Sequence, residues 1–103
     1  ACLMPAQQAE GCRVETLRGL QDDPSTQALA AQFQDHGAAQ CGICTPGFLV
    51  AAKSLLERNP NPTEEEIRYA LAGNLCRCTG YDKIVRAVQS AAKIMRRGKK
   101  AAR

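Results

Sequence analysis

The sequence predicts an all-α domain of four helices, and three observations support that prediction. Apolar residues recur at three- and four-residue spacing in four separate stretches. Proline, glycine and helix-capping residues separate these stretches at short intervals. The chain has 103 residues with 45% apolar side chains, which suits one small domain. Because so small a core has little surplus stability, we expect a metal, a disulfide set or a partner subunit to reinforce it.

The first 24 residues do not share the helical pattern. Around Val14, Thr16 and Leu17, apolar and polar residues alternate weakly, and this pattern predicts the end of a β-strand. The stretch from Gly19 to Pro24 has the composition of a turn-rich linker. Residues 1–18 are therefore expected to be the remnant of a preceding domain, and residues 19–24 its linker.

The first predicted helix begins at Ser25 and is stopped by Gly37. Its spaced residues are Leu29, Gln32, Phe33 and His36. The second begins at Thr45, which is expected to cap it, with Pro46 in the first helical position. Two prolines in residues 59–62 end this helix. Its apolar stripe consists of Phe48, Leu49, Ala52, Leu55 and Leu56.

The third helix is predicted from a capping box, in which Thr63 and Glu66 satisfy each other's backbone N–H groups. Its buried face is expected to hold Ile67, Ala70 and Leu71. A loop from Gly73 to Gly80 precedes the fourth helix, whose stripe is the most regular in the chain. That stripe consists of Ile84, Val85, Val88, Ala91, Ala92 and Met95.

The net charge of +4 comes from the end of the chain, because the remainder is close to neutral. The basic residues of this tail are Arg96, Arg97, Lys99, Lys100 and Arg103. Without interleaved aromatic residues or a recognition motif, the tail is expected to be a solvated end, and no nucleic-acid partner is predicted. No apolar run approaches the roughly 18 residues of a membrane span, so a soluble protein is expected.

Four of the six cysteines lie in two interhelical loops. Cys41 and Cys44 form a C-x-x-C motif, and Cys76 and Cys78 form a C-x-C motif. The intervening residues 45–75 suffice for one helical hairpin, which would bring the two loops together. Four thiolates at one point are suitable ligands for a tetrahedral zinc ion or for an iron–sulfur cluster. A disulfide framework is less consistent with a mostly helical pattern.

The two loop sequences resemble those of a known family. Residues 40–47 read QCGICTPG and residues 73–81 read GNLCRCTGY, which look like the helical 2Fe-2S domain of the molybdenum hydroxylases, the xanthine oxidase family. Within it, the chain most resembles the small iron–sulfur subunits of the carbon monoxide dehydrogenase type. The resemblance covers essentially the whole chain, including residues 59–67 between the motifs.

The resemblance implies that Cys41, Cys44, Cys76 and Cys78 hold one 2Fe-2S cluster, and that Gln40 and Cys78 approach a molybdopterin. This molybdopterin would be a cytosine dinucleotide bound in a large subunit. The chain would then relay electrons from it or to it, with a second 2Fe-2S cluster and FAD at the other end of the relay. The FAD would lie in a medium subunit. The substrate site would lie on the large subunit, and the complex would be cytoplasmic, reaching a membrane at most through its partners.

The resemblance also accounts for the first residues. The family's small subunits begin with a ferredoxin-like β-grasp domain, and Cys2 occurs where that domain has the fourth ligand of the second 2Fe-2S cluster. The implied division is the end of the ferredoxin-like domain in residues 1–18, a linker in 19–24, the helical 2Fe-2S domain in 25–97 and a basic tail in 98–103. The chain would then be a subunit or a fragment of one, with three further ligands upstream.

Four other residues receive simpler interpretations. Cys12 is expected to be a buried or half-exposed structural thiol, and His36 a cap or surface residue at a helix end rather than a metal ligand. Arg77, between two cysteines, is expected to tune the cluster or to lie at an interface. Tyr81 is expected to pack and to form a hydrogen bond at the end of its loop.

Overall fold

The computed structural model describes residues 2–101, and the side chains of residues 2–98. It contains four α-helices: α1 (Pro24–Asp35), α2 (Thr45–Arg58), α3 (Glu64–Leu71) and α4 (Asp82–Ala101). Two short 3-10 turns precede them, at Ala6–Ala9 and Arg18–Leu20. Within residues 2–101 there is no β-strand, so the predicted all-α class is confirmed.

The helices pack in a ring. Helix α1 contacts α2 and α4, and α3 also contacts α2 and α4. Because α1 ends, α2 begins, α3 ends and α4 begins at the same end of the ring, the loops 36–44 and 72–81 lie next to each other. The stripes predicted for α2 and α4 fill the centre, apart from Met95, which is partly buried. The largest fully buried side chains are Leu29, Phe48, Ile67, Ile84 and Val88.

Both ends of α1 are closed by local hydrogen bonds. The carboxylate of Asp23 accepts the backbone N–H of Thr26, so the helix begins at Pro24, one residue earlier than predicted. At the other end Gly37 takes a left-handed φ of 64°. The N–H of Ala38 then donates to the carbonyl of Phe33, which is the Schellman arrangement. The predicted stop at Gly37 is therefore confirmed.

Helix α2 begins differently from the prediction. Cys44, not Thr45, occupies the N-cap position, and it makes no side-chain capping bond. Thr45 is the first helical residue and Pro46 the second. A threonine caps only when its backbone is extended, and here the chain is already helical at Cys44, with φ −80° and ψ −15°. The first turn of α2 thus starts at a cysteine of the C-x-x-C motif.

Helix α3 has the capping box that the sequence predicted. The hydroxyl of Thr63 accepts the N–H of Glu66 at 3.2 Å, and the carboxylate of Glu66 accepts the N–H of Thr63 at 3.0 Å. These bonds lower the pKa of Glu66, because they favour its charged form. Since α3 has only 8 residues, its first turn is a large part of it.

We expect Thr63→Ala to lower the free energy of unfolding by about 1 kcal/mol, because the N–H of Glu66 loses its acceptor. Chemical denaturation followed by circular dichroism measures this change. Thr16→Ala is the matched control, since Thr16 is exposed and in an irregular segment, and its effect should stay within about 0.5 kcal/mol. Equal effects of the two substitutions would contradict a capping role for Thr63.

Four charged side chains connect α3 to the first turn of α4. Arg68 contacts Glu64 at 3.0 Å and Asp82 at 3.4 Å, and Arg86 contacts Glu64 at 3.2 Å and Asp82 at 3.6 Å. The hydrogen bond from Arg68, followed by the charge of Arg86, lowers the pKa of Glu64. Exposed ion pairs contribute little individually, but this network joins the two helices that flank the loop 72–81.

The segment before α1 does not form the predicted strand. Residues 12–16 are irregular and lead into the turn at Arg18–Leu20. A strand needs a partner for its backbone groups, and residues 2–101 contain no strand with which Val14–Leu17 could pair. The predicted linker is partly packed instead, because Leu20 is buried. Helix α4 continues to Ala101, so residues 98–101 of the predicted tail are helical. Arg103 lies outside the described residues. No helix among the described residues is long and apolar enough to cross a membrane.

Candidate 2Fe-2S site

The two cysteine loops meet at one end of the ring of helices. The side-chain amide of Gln40 donates a hydrogen bond to the backbone carbonyl of Cys78 at 3.1 Å. The sulfur of Cys41 lies 3.7 Å from that of Cys78. The structure therefore brings together three of the predicted site residues, which are 37 or 38 positions apart in the chain.

The four thiols form two pairs. Cys41 and Cys78 make one pair, and both side chains are exposed. Cys44 and Cys76 make the other, since each thiol shifts the pKa of the other, and both side chains are half-buried. The charge of Cys41 also acts on Cys44, and that of Cys76 on Cys78. All four cysteines are free thiols, and they lie close enough for their charges to interact.

This arrangement differs from a site for one metal ion. Among the described residues, no three His, Cys, Asp or Glu side chains converge as ligands of a single ion. Two thiolates at about 2.3 Å from one tetrahedral metal lie roughly 3.8 Å apart, close to the 3.7 Å between Cys41 and Cys78. Two such pairs side by side have the ligand arrangement of a cluster with two metal ions, each held by two thiolates.

Three of the thiols have shifted pKa values, and the shifts differ in direction. Burial, together with the hydrogen bond and charge of Cys76, raises the pKa of Cys44 to about 11. The hydroxyl of Thr79 donates to the sulfur of Cys76 at 3.1 Å and lowers its pKa to about 7. The hydrogen bond with Cys41 raises the pKa of Cys78. Because only thiolates bind metal, the hydrogen bond from Thr79 favours the ligand form of Cys76, whereas Cys44 must lose its proton as metal binds.

The loop 72–81 is held by Tyr81. Its φ of 75° is left-handed, which is rare for a residue with a side chain. Its phenol oxygen accepts the N–H of Cys76 at 3.0 Å, and its ring meets the edge of Phe48 with centroids 6.3 Å apart. The expectation that Tyr81 packs and forms a hydrogen bond is confirmed. The role of Thr79 was not predicted, although a threonine followed by glycine is a signal for a turn of this kind.

Comparison with known proteins decides which family has this arrangement. Residues 16–89 match the family model described as a 2Fe-2S binding domain. The match covers more than half of the chain and includes both cysteine motifs. This chain belongs to the 2Fe-2S binding domain family. The predicted resemblance to the molybdenum hydroxylases is also confirmed, because the similar proteins are their iron–sulfur subunits and domains.

Relatives in the 2Fe-2S binding domain family are closely similar. The chain is 51% identical over 90 residues to the nicotinate dehydrogenase small FeS subunit of Eubacterium barkeri, covering 87% of this chain and 57% of the relative. It is 50% identical over 91 residues to the nicotine 6-hydroxylase small subunit of Paenarthrobacter nicotinovorans, covering 88% and 54%. The chain thus spans about half the length of these relatives.

Solved structures agree with the fold. Quinoline 2-oxidoreductase from Pseudomonas putida 86 superposes with a TM-score of 0.79 at 47% identity, covering 94% of this chain and 61% of that one. Aldehyde oxidoreductase from Desulfovibrio gigas gives a TM-score of 0.81 at 36% identity, covering 95% of this chain and 11% of that one. The helical 2Fe-2S binding domain therefore occurs both as part of a small subunit and within a longer chain.

The residues of the site fit such a cluster. The four thiols form two pairs, as two iron ions require. Cys44 lies at the N-terminus of α2, where backbone N–H groups and the helix dipole favour negative charge. Next to it, the hydroxyl oxygen of Thr45 is buried and has no hydrogen-bond partner among the described residues. A buried hydroxyl is costly without a partner, and a sulfur-rich cluster beside Cys44 would supply an acceptor.

Gly47 allows the two loops to approach closely. A Cβ at this position would lie 2.9 Å from the side-chain oxygen of Asn74, in the loop that carries Cys76. We expect Gly47→Ala to displace Asn74 and to accelerate the loss of iron, although alanine alone would favour the helix by about 1 kcal/mol. Bleaching of the visible absorption in the presence of a chelator measures the rate.

The matched control is Gly98→Ala, which lies in α4 with nothing within 4 Å of the added Cβ. It should leave the bleaching rate unchanged and stabilise the helix. If Gly47→Ala bleaches no faster than Gly98→Ala, the close contact between Gly47 and Asn74 does not support the site.

Two cysteines lie apart from this site. Cys2 and Cys12 are both exposed, and the thiol of Cys12 donates only to the carbonyl of Gln8, at 3.6 Å. The expected burial of Cys12 is therefore wrong, because its irregular segment has no core residue to pack against it. His36 is the exposed C-cap residue of α1, as expected of a helix end. The assignment of Cys2 to a second cluster stays a prediction, and so does the proximity of Gln40 and Cys78 to a pterin.

Proposed function

We propose that this chain relays single electrons within a molybdenum-dependent hydroxylase, through one 2Fe-2S cluster bound by Cys41, Cys44, Cys76 and Cys78. The observation that carries the proposal is the pairing of these thiols at one end of the helical ring. When bound, such a cluster accepts and gives up one electron at a time. The protein's part is to hold the thiolates, to supply hydrogen-bond donors and to bring one edge of the site to the surface.

The two pairs have different positions, which suggests a direction for the relay. Cys41 and Cys78 are exposed, whereas Cys44 and Cys76 are half-buried between the loops and the helices. The two cysteine loops also carry exposed apolar side chains, Ile43 at 86% and Leu75 at 83% exposure. Uncovered aliphatic residues beside a redox site favour a protein partner there. We assign this edge, with Gln40, to the large molybdopterin subunit.

The remaining cofactors follow from the family. We propose that the pterin is a molybdopterin cytosine dinucleotide in the large subunit, and that FAD lies in a medium subunit. A second 2Fe-2S cluster, with Cys2 as one ligand, would receive the electron from this chain's cluster and pass it to the FAD. The names of the relatives support a multisubunit enzyme, because two of them are called small subunits. Cytoplasmic location is part of the same proposal.

The test is the metal content and redox behaviour of the assembled enzyme that contains this chain. We expect iron and acid-labile sulfide in equal amounts, and a paramagnetic signal after one-electron reduction that the Cys44→Ser variant lacks. Stoichiometric zinc that Cys44→Ser removes, with no change in iron content or in the paramagnetic signal, would instead identify a zinc-stabilised interaction module and overturn the proposal.

The direction of the relay has its own test. Substrate is mixed with the enzyme in a single turnover, and reduction of each cluster is followed by rapid freezing and spectroscopy. Gln40→Ala should slow reduction of this cluster, because Gln40 anchors the carbonyl of Cys78. Undiminished reduction of the second cluster in an enzyme that lacks this one would show that electrons take another route.

A further inference from the structure

Cys76 differs from the other three cysteines of the site in its hydrogen bonds. The hydroxyl of Thr79 donates to its sulfur at 3.1 Å, and both side chains are half-buried. Among the hydrogen bonds of residues 2–98, it is the only one in which a hydroxyl donates to a sulfur. Cys41 and Cys78, by contrast, contact each other and are exposed to solvent.

The hydroxyl proton of Thr79 is directed to the sulfur by a second contact. The oxygen of Thr79 accepts the backbone N–H of Tyr81 at 3.2 Å, so one of its lone pairs is engaged. A hydroxyl has a single proton to donate, and the sulfur of Cys76 is the acceptor within reach. The position of the proton is therefore set by the backbone of the loop.

Tyr81 closes the arrangement. Its phenol oxygen accepts the N–H of Cys76 at 3.0 Å, and its ring rests on the buried Phe48. Cys76, Thr79 and Tyr81 thus form a closed circuit of three hydrogen bonds. A left-handed φ of 75° at a tyrosine costs energy, and the circuit and the ring contact together offset it.

We propose that Thr79 is a positioning residue that raises the reduction potential of the cluster through the sulfur of Cys76. A hydrogen bond to a ligand sulfur stabilises the reduced cluster more than the oxidised one, because the reduced cluster carries one more negative charge. One electron arrives and no proton moves, since the hydroxyl keeps its proton throughout. The inference rests on the proposed function, because it needs a cluster at these thiols.

The test compares Thr79→Val with Thr79→Ser in the assembled enzyme. Valine is close to threonine in shape but has no hydroxyl, whereas serine keeps the hydroxyl. Electron paramagnetic resonance during a redox titration gives the midpoint potential of this cluster, identified as the signal that Cys44→Ser abolishes. We expect the valine variant to hold its iron and to reduce roughly tenfold less readily, a shift of about 59 mV to lower potential for one electron. The serine variant should titrate as the unmodified enzyme does.

The outcomes separate this inference from the proposed function. If the unmodified enzyme has no paramagnetic signal that Cys44→Ser abolishes, the proposed function fails. If it has this signal and Thr79→Val titrates at the unmodified potential, only the role of Thr79 is overturned. Should the valine variant lose its iron, Thr79→Ala provides a smaller side chain that also lacks the hydroxyl. Loss of iron from both would show that the hydroxyl holds the cluster rather than setting its potential, and would likewise overturn the inference.

Discussion

Cys44→Ser should leave the enzyme without this 2Fe-2S cluster. Cys44 is half-buried at the first turn of α2, and its thiol pairs with that of Cys76. Serine leaves three thiolates, and its oxygen is a poorer ligand for iron than sulfur is. Because changes to groups outside the ligand shell already weaken metal binding 10- to 100-fold, we expect loss of a ligand to weaken it by more than about 100-fold. Iron analysis and the paramagnetic spectrum after reduction measure the effect.

The matched control is Cys12→Ser. Cys12 is also a free thiol, but it is exposed and donates only to a backbone carbonyl of its own segment. This variant should keep the full iron content. The assignment of the ligands is wrong if Cys44→Ser keeps its iron and its spectrum, or if Cys12→Ser loses the same iron as Cys44→Ser does.

Removal of the cluster should open the two loops while the helices persist. The sixteen residues of the buried core come from all four helices and the turn after α1, and none is a cysteine. Backbone–backbone hydrogen bonds, by contrast, protect none of the amides of residues 39–43. The amide of Cys76 depends on Tyr81, which the opening would release. We expect exchange of this amide to accelerate by at least about 100-fold in the metal-free chain, as in local unfolding.

Hydrogen exchange with mass spectrometry makes the comparison within one sample. Peptides from the centre of α4, around Val88, are the internal control, because Val88 is fully buried in the core. Their exchange should change by much less than that of residues 73–80. Equal protection of residues 73–80 with and without metal would mean that the loop is ordered by the protein alone.

Most of the helical architecture could be predicted because local signals agree with packing. The capping box at Thr63, the stop at Gly37 and the apolar stripe of α4 each depend on residues a few positions apart. The convergence of the cysteine loops could be predicted as well, since a hairpin of two helices returns the chain to the same end.

Other features depend on contacts that sequence spacing does not contain. The apolar alternation around Val14 predicted a strand, but a strand forms only where a neighbouring strand is present. Thr45 was predicted to cap α2 because threonine is a common N-cap residue. The backbone is already helical at Cys44, so Thr45 lies inside the helix. The hydroxyl of Thr79 contacts the sulfur of Cys76, and the left-handed turn through Gly80 and Tyr81 brings the N–H of Tyr81 to the same hydroxyl.

The pairing of the thiols is a further example. Two motifs of two cysteines allow several assignments to two metal ions, and the spacing favours none of them. The contact between Gln40 and Cys78 fixes the relative position of the loops, and the pairs follow from it. Only the relative position of the two loops in space determines whether Cys41 pairs with Cys78 or with Cys44.

The exposure of Cys41 and Cys78 has a consequence for the lifetime of the protein in air. A thiolate open to solvent can be reached by electrons, and also by dioxygen and peroxide, which oxidise accessible cysteines first. A partner that covers this edge would exclude these oxidants, so the unassembled chain should decay through its exposed pair. Cells that make this chain in excess of its partner would then accumulate a damaged, iron-poor form. If the proposed partner subunit covers this edge, balanced synthesis of the two would protect the chain against oxidation.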